Sequence, residues 1–259
     1  MGRRLEERLR SGETAFGMWV TLRSADLTEL IAVSGVDWIC LDLEHTDLTY
    51  PDLTEHMRSA RRSDMTVVVR IPDLQRDFVQ RALDLGADGI MVPMVGSAED
   101  VREAMRYAYY PPDGDRGVSP ARANDWGGYT GLSDHLAEAN KHVFVIPMIE
   151  SRDAGENIEE IMAVPGLRVV FLGLADLSAS HGDVGGFGGN EVVDGIVDRF
   201  VKAAADNDVA TGVMALSPED VDVKTADGYR LIGIGSDMGL FAGSLQERYS
   251  TMTGRQAER

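Results

Sequence analysis

Asp42, Glu44 and His45 stand together at the end of an apolar stretch, Val36 to Leu43, and could run acid–base chemistry there. Arg70 closes a second apolar stretch, Thr66 to Ile71. Glu150 follows a third, Val143 to Ile149, and Asp176 lies just past a fourth, Arg168 to Gly173. Two separated carboxylates leave room for water and substrate oxygens. That suits a hard divalent cation such as Mg2+ or Mn2+ better than a closed zinc site of His and Cys. A 2-oxo acid could chelate such a cation through its carboxylate and keto oxygens. Arginine beside it would stabilise developing enolate charge, and histidine, directly or through water, would move the proton. Gly173, Leu174, Ala175, Asp176, Leu177 and Ser178 lead into a helical pattern, so the amides of Ala175 and Asp176 are expected to hold the substrate's acid group. Each residue alone also has a structural reading, as an ion pair, a helix cap or a satisfied polar side chain. Their convergence at one rim favours a site.

A single rim requires elements that bring these positions together. Eight short apolar runs recur along the chain: Ala15 to Leu22, Val36 to Leu43, Thr66 to Ile71, Gly89 to Met94, Val143 to Ile149, Arg168 to Gly173, Val209 to Ala215 and Tyr229 to Ile234. Between them apolar residues fall at three- and four-residue spacing, as in Val101, Ala104, Met105 and Ala108 of the stretch Ala98 to Tyr109, the pattern of an amphipathic helix. Eight strand–helix repeats in 259 residues predict an α/β fold, a (β/α)8 TIM barrel occupying 1–259 as a single domain, with its chemistry at the carboxyl ends of the strands. Ser97 and Ser217 precede acidic first turns and are predicted N-caps. Two long loops, Pro111 to Gly131 and the glycine-rich Gly182 to Asn190, are expected to be lids or subunit contacts.

Composition removes several classes. With 25 Lys plus Arg against 43 Asp plus Glu, the formal charge is −18, which repels phosphate backbones and anionic lipid, so neither nucleic acid nor membrane is an expected partner. No apolar run approaches the roughly 20 residues of a membrane span, and the first residues lack the apolar core of a signal peptide; a cytoplasmic protein is expected. The single cysteine, Cys40, lies within an apolar run and reads as an inert core thiol. The lysines, Lys141, Lys202 and Lys224, do not follow strands, which disfavours imine-forming aldol chemistry. Their scarcity, with 26 Asp against 17 Glu, matches both a salt-rich cytosol and a GC-rich genome. The glycines at 185, 186, 188 and 189 do not directly follow a strand and form no dinucleotide fingerprint, so no organic cofactor is expected.

The ordered set Gly17, Trp19; Asp37, Trp38, Asp42, Glu44, His45; Val69, Arg70; Leu83, Asp84, Gly86, Ala87, Gly89, Val92, Pro93, Met94; Tyr110, Pro111, Pro112, Gly114, Arg116, Gly117; Ile149, Glu150; Gly173, Ala175, Asp176, Leu177, Ser178 resembles the HpcH/HpaI family of metal-dependent (class II) pyruvate aldolases across nearly the whole chain. The resemblance implies reversible cleavage of a 4-hydroxy-2-oxo acid, of the 2-keto-3-deoxy sugar acid type, to pyruvate and an aldehyde. It also implies a homo-oligomer, usually a hexamer, with an exchanged C-terminal helix. Matched residue by residue, Glu150 and Asp176 correspond to the ligands of Mg2+ or Mn2+, with Co2+ a further candidate. Arg70 corresponds to the arginine on the keto oxygen, His45 to the acid/base histidine, and Asp42 and Asp84 to acids orienting His45 or the metal waters. Met148 stands where several members carry a glutamine at the pyruvate site. Arg122, Ala123 and Trp126 fit a segment that often borders the aldehyde end and a neighbouring subunit. Two rival functions remain, a CoA-thioester lyase of the citrate lyase β or malyl-CoA lyase type and a non-catalytic 2-oxo acid binding protein. The acidic rim offers few basic anchors for CoA.

Overall fold

In the computed structural model, which describes residues 3–127 and 132–255, the eight apolar runs are eight parallel strands. They are β1 (Ala15–Val20), β2 (Trp38–Asp42), β3 (Thr66–Arg70), β4 (Gly89–Val92), β5 (Phe144–Ile149), β6 (Val169–Leu172), β7 (Ala210–Met214) and β8 (Leu231–Ser236). They pair in chain order and β8 returns to β1, closing the barrel. Every residue of β2 through β6 is buried, because helices cover the outside of the barrel and side chains fill its inside. The last strand lies two residues later than the apolar run suggested. A register shift between Gly17 and Trp19 carries β8 past the end of the apolar run to Ser236, which pairs with Trp19.

The outer layer is α1 (Arg3–Ser11), α2 (Ala25–Ser34), α3 (Tyr50–Ala60), α4 (Arg76–Asp84), α5 (Ala98–Ala108), α6 (Leu132–His142), α7 (Arg152–Glu156), α8 (Ile158–Met162), α9 (Leu174–Ser180), α10 (Glu191–Asp206), α11 (Pro218–Ala226) and α12 (Asp237–Thr253). Arg122–Gly127, in the long loop before α6, is a pair of tight turns kinked at Asp125 and Trp126, which take φ 49° and 55°; the last residues of that loop, 128–131, are outside the described residues. Both predicted serine caps form: the Ser97 and Ser217 hydroxyls accept from the amides of Asp100 and Asp220, each at 3.2 Å. The sequence pattern of eight repeats does not announce α1. It plugs the amino end of the barrel, where Leu5 joins Ala15, Trp38, Phe144 and Leu231 in the inner core. Nearer the other end, Trp19 meets Trp38 and Phe171 edge-on at 5.4 and 5.2 Å between ring centroids. Among the described residues, no helix is long and apolar enough to cross a membrane.

Cys40 is fully buried among these inner side chains, and burial pushes its thiol up to about 12, so it is chemically quiet in the folded protein. The seam between α2 and α3 contains a less comfortable group. The buried His56 ring sits 2.7 Å from the Thr28 hydroxyl through Nδ1, while its buried Nε2 has no partner. Burial holds its pKa below the ordinary imidazole value, against the opposing pull of Asp52 and Asp237. The unfolded chain therefore takes up a proton that the folded one resists. The contribution of neutral His56 is complete above pH of about 6.5 and is lost as pH falls towards its lower folded pKa. Unfolding free energies measured against pH should carry an added slope of up to about 1.4 kcal/mol per pH unit in that window. The slope should flatten in His56→Gln; an unchanged profile in that variant would contradict the assignment.

Candidate active site

The carboxyl ends of β2, β3, β5 and β6 meet at one rim. Asp42 ends β2 and Arg70 ends β3, and the two residues are direct partners in the strand register. That register sets their side chains against each other. Arg70 Nε donates to Asp42 Oδ1 at 2.9 Å and Nη2 to Oδ2 at 2.6 Å, while Nη1 lies 3.2 Å from Glu44 Oε2. These contacts occupy three of the five guanidinium N–H groups and leave two for a ligand. Asp42 Oδ1 also accepts from the backbone amides of Glu44 and His45 at 3.0 and 3.3 Å. Asp42 therefore shapes the turn that carries His45 and does not touch its ring. The ring stands on the outer lip, 62% exposed, with Nε2 3.5 Å from Glu44 Oε2.

Glu150, one residue past β5, is buried. Its Oε1 accepts from the amide of Met94 at 2.7 Å, while its buried Oε2 has no hydrogen-bond partner. The carboxylate presses against Gly173, where a Cβ would stand 2.5 Å from Oε2 and 2.7 Å from the Glu150 Cβ. Burial, reinforced by the negative charges of Glu44 and Asp176, pushes the Glu150 pKa up to about 7, despite the Met94 amide and Arg70. Glu44 is also raised, chiefly by burial and further by Asp42 and Asp176, with Arg70 and His45 opposing. Asp176, in the first turn of α9, thus belongs to the same electrostatic cluster. A buried acceptor without a donor, in a group of carboxylates held by one arginine, fits a cation. Among the described residues no cluster of three or more His, Cys, Asp or Glu could hold a metal by itself. Glu150 and Asp176 would provide two oxygen ligands, with water and substrate oxygens completing the shell.

A cavity of about 620 Å3 opens beside this cluster, and Asp42, Arg70, Met148, Gly173, Ala175 and Asp176 all line it. The structure therefore brings together Asp42, Arg70, Met148, Gly173, Ala175 and Asp176 on the cavity wall, with Glu150 packed behind Gly173; His45 stands outside it on the lip and joins the group only through Glu44. It does not bring Asp84. Asp84 is the last residue of α4, and a helix that leaves the carboxyl end of one strand must finish at the amino end of the next. There its carboxylate is 2.7 Å from the buried Arg116 guanidinium. The expectation that Asp84 orients His45 is corrected for a single chain: the two lie at opposite ends of the barrel. Arg122 and Trp126 also lie away from the cavity, stacked on each other with the guanidinium 5.1 Å from the ring centroid. Sequence reasoning missed Phe187, Leu216 and Lys224 on the cavity wall. Apolar residues carry no chemical signature, and Lys224 lies in the last turn of α11, where a survey of strand ends cannot find it.

Fold and rim together define a (β/α)8 barrel whose strand ends gather four carboxylates, Asp42, Glu44, Glu150 and Asp176, around one arginine. The profile of the HpcH/HpaI aldolase/citrate lyase family matches residues 15–243, and the chain belongs to that family. It is a carbon–carbon lyase of the aldolase kind. The 2-keto-3-deoxy-L-rhamnonate aldolase of Escherichia coli (strain K12) is 33% identical over 245 residues, covering 94% of this chain and 90% of that protein. The structure of an HpcH/HpaI aldolase/citrate lyase family protein from Burkholderia cenocepacia J2315 superposes with a TM-score of 0.91 at 32% identity, covering 97% of this chain and 99% of that one. The HpcH/HpaI aldolase from Desulfitobacterium hafniense DCB-2 gives 0.91 at 29% identity, with 98% of each chain covered.

The close approach at Gly173 makes it the most sensitive backbone position of the rim. Gly173→Ala should drive a methyl group into the Glu150 carboxylate and lower aldol turnover by about 100-fold, since a displacement of about 1 Å at a reacting centre has that effect. Steady-state kinetics beside a thermal melt would check this, and wild-type turnover in the variant would refute the packing argument.

Proposed function

We propose that this protein reversibly cleaves a 4-hydroxy-2-oxo acid of the 2-keto-3-deoxy sugar acid type to pyruvate and an aldehyde, with a divalent cation at Glu150 and Asp176. One observation supports this reading above the others. The Arg70 guanidinium is locked on Asp42 and Glu44 beside a carboxylate, Glu150, whose buried second oxygen lacks any donor. That arrangement supports a cation there and an oxyanion at its side. The cation, Mg2+ or Mn2+ with Co2+ a further candidate, supplies Lewis acidity at the 2-oxo group.

The remaining work falls to the chain. The two free N–H groups of Arg70 point the guanidinium's charge at the oxygen that becomes the enolate oxyanion. The amides at the start of α9, those of Ala175 and Asp176, have no partners within the helix and hold the substrate carboxylate. His45, on the lip beside Glu44, takes the proton of the 4-hydroxyl directly or through water as the C3–C4 bond breaks, and returns it in the reverse direction. Glu44 Oε2, 3.5 Å from His45 Nε2, is placed to share that proton. Met148 gives the donor half an apolar floor in place of a polar contact.

The same reading includes a homo-oligomer, a hexamer with α12 exchanged between copies. Met238, Phe241, Leu245, Tyr249 and Met252 recur at three- and four-residue spacing along α12 and are all exposed, an apolar stripe that a single chain does not cover. In such an assembly Asp84, Arg122 and Trp126 serve a neighbour's rim, since they cannot reach their own. A cytoplasmic setting completes the reading and matches the single reduced, buried Cys40.

Purified protein given pyruvate and short aldehydes should form aldol products once Mn2+ is added, and Arg70→Ala should lose about 100-fold or more of that rate while keeping its circular dichroism spectrum. Absence of turnover across several aldehydes, with and without metal, would overturn the proposal.

A further inference from the structure

The cavity beside Arg70 has about 620 Å3, far more than a three-carbon oxo acid fills, and its outer wall is largely apolar. Trp19, Met214 and Leu216 contribute from strands and strand ends. Phe187 contributes from the loop between α9 and α10. Asp220 and Lys224, four residues apart on α11, add one charge of each sign, so this wall has no net charge.

Phe187 is 53% exposed and its loop neighbour Val184 is 86% exposed. Exposed apolar side chains are common on this chain; Phe187 differs from Val184 in also lining the cavity. The loop is pinned near its ends. The Asp183 amide donates to the carbonyl of Ser178 at 3.0 Å, the Gly188 amide to the Ser178 hydroxyl at 3.2 Å, and the Gly189 amide to Asp194 at 2.9 Å. Between these contacts the Gly186 amide donates to the Asp183 carbonyl at 3.2 Å, and Gly185 takes the left-handed conformation at φ 89°, so the turn that presents Phe187 at the cavity is a built one. Ser178 lies on α9, the helix whose first turn contains Ala175 and Asp176. The tip and the donor end of the site therefore hang from one short element.

We propose that Phe187 is a specificity-determining residue for the aldehyde half, its ring covering the aldehyde's carbon chain and holding it on the enolate carbon. The inference rests on the aldolase reading. The enolate has two fates. Its carbon can attack the aldehyde, forming the C–C bond while the aldehyde oxygen takes a proton. Alternatively the carbon takes a proton from water and pyruvate is regenerated. A ring that keeps water off the enolate carbon favours the first fate. An uncharged, carbon-faced aldehyde gains from this cover, whereas an anionic one finds no net countercharge on the wall and loses hydration beneath the ring.

The test compares wild type, Phe187→Leu and Phe187→Ala with Mn2+, following deuterium exchange at the pyruvate methyl and aldol addition to propanal and to glyoxylate. Phe187→Ala should raise the exchange rate, because water reaches the uncovered enolate carbon, while losing about tenfold or more in kcat/KM for propanal and less for glyoxylate; Phe187→Leu should stay close to wild type in both. Unchanged propanal addition in Phe187→Ala, or equal losses for the two aldehydes, would overturn the inference. If Phe187→Ala also loses exchange, Phe187→Leu decides: normal exchange with a selective propanal loss supports the inference, and equal effects overturn it. A wild-type protein that exchanges no methyl deuterium would instead overturn the aldolase reading and this inference with it.

Discussion

The rim depends on the pair between Asp42 and Arg70. Two strands in direct register place a carboxylate opposite a guanidinium at the point where the barrel opens, and both N–H···O contacts form with little solvent access. A buried pair of this kind adds little net stability, but removing one partner leaves an uncompensated charge at a cost of about 3–5 kcal/mol. Its use here is geometric. It aims Arg70 into the cavity, draws Glu44 in behind it, and through the Asp42 carboxylate fixes the turn on which His45 stands.

The rest of the centre follows from an imbalance of charge. Asp42, Glu44, Glu150 and Asp176 cluster around one arginine, and ionisation is resisted at Glu150, buried with one oxygen unpartnered and pushed up to about 7. A bound cation would answer the same imbalance. The overall charge of −18 opposes an anionic substrate at long range, so binding has to come from local positive charge at this rim, and screening by salt confines the repulsion to about 8 Å under physiological conditions. Surface acidity and site chemistry are therefore separate matters in this protein.

Much of this was legible in the sequence because a parallel barrel converts strand ends into a ring. Once eight apolar runs are located, the polar residues that follow them, Asp42, Glu44, Arg70, Glu150 and Asp176, must share a rim whatever their separation along the chain. Asp84 shows where that logic stops. It ends a helix rather than a strand, so family resemblance brought it to the site while topology placed it at the other end of the barrel. The unpartnered oxygen of Glu150 and its contact with Gly173 depend on packing to a fraction of an ångström, which spacing does not encode. Phe187 was hidden for a different reason, since an apolar residue in a glycine-rich loop has no chemistry to betray it until a cavity is seen beneath. The plug made by α1 was equally silent, because one turn-and-a-half of Leu5 and Leu9 spacing is too short to stand out from its charged neighbours.

The central claim is that Glu150 and Asp176 hold a divalent cation together with the 2-oxo acid. Titration of Mn2+ into the metal-free protein, with free Mn2+ followed by electron paramagnetic resonance in the presence and absence of pyruvate, tests it most directly. Cation and oxo acid sharing one site must strengthen each other's binding equally. Pyruvate should tighten Mn2+ about tenfold in the wild type, and Glu150→Gln should lose both the binding and the coupling. A Mn2+ affinity indifferent to pyruvate, or unaltered in Glu150→Gln, would contradict the account.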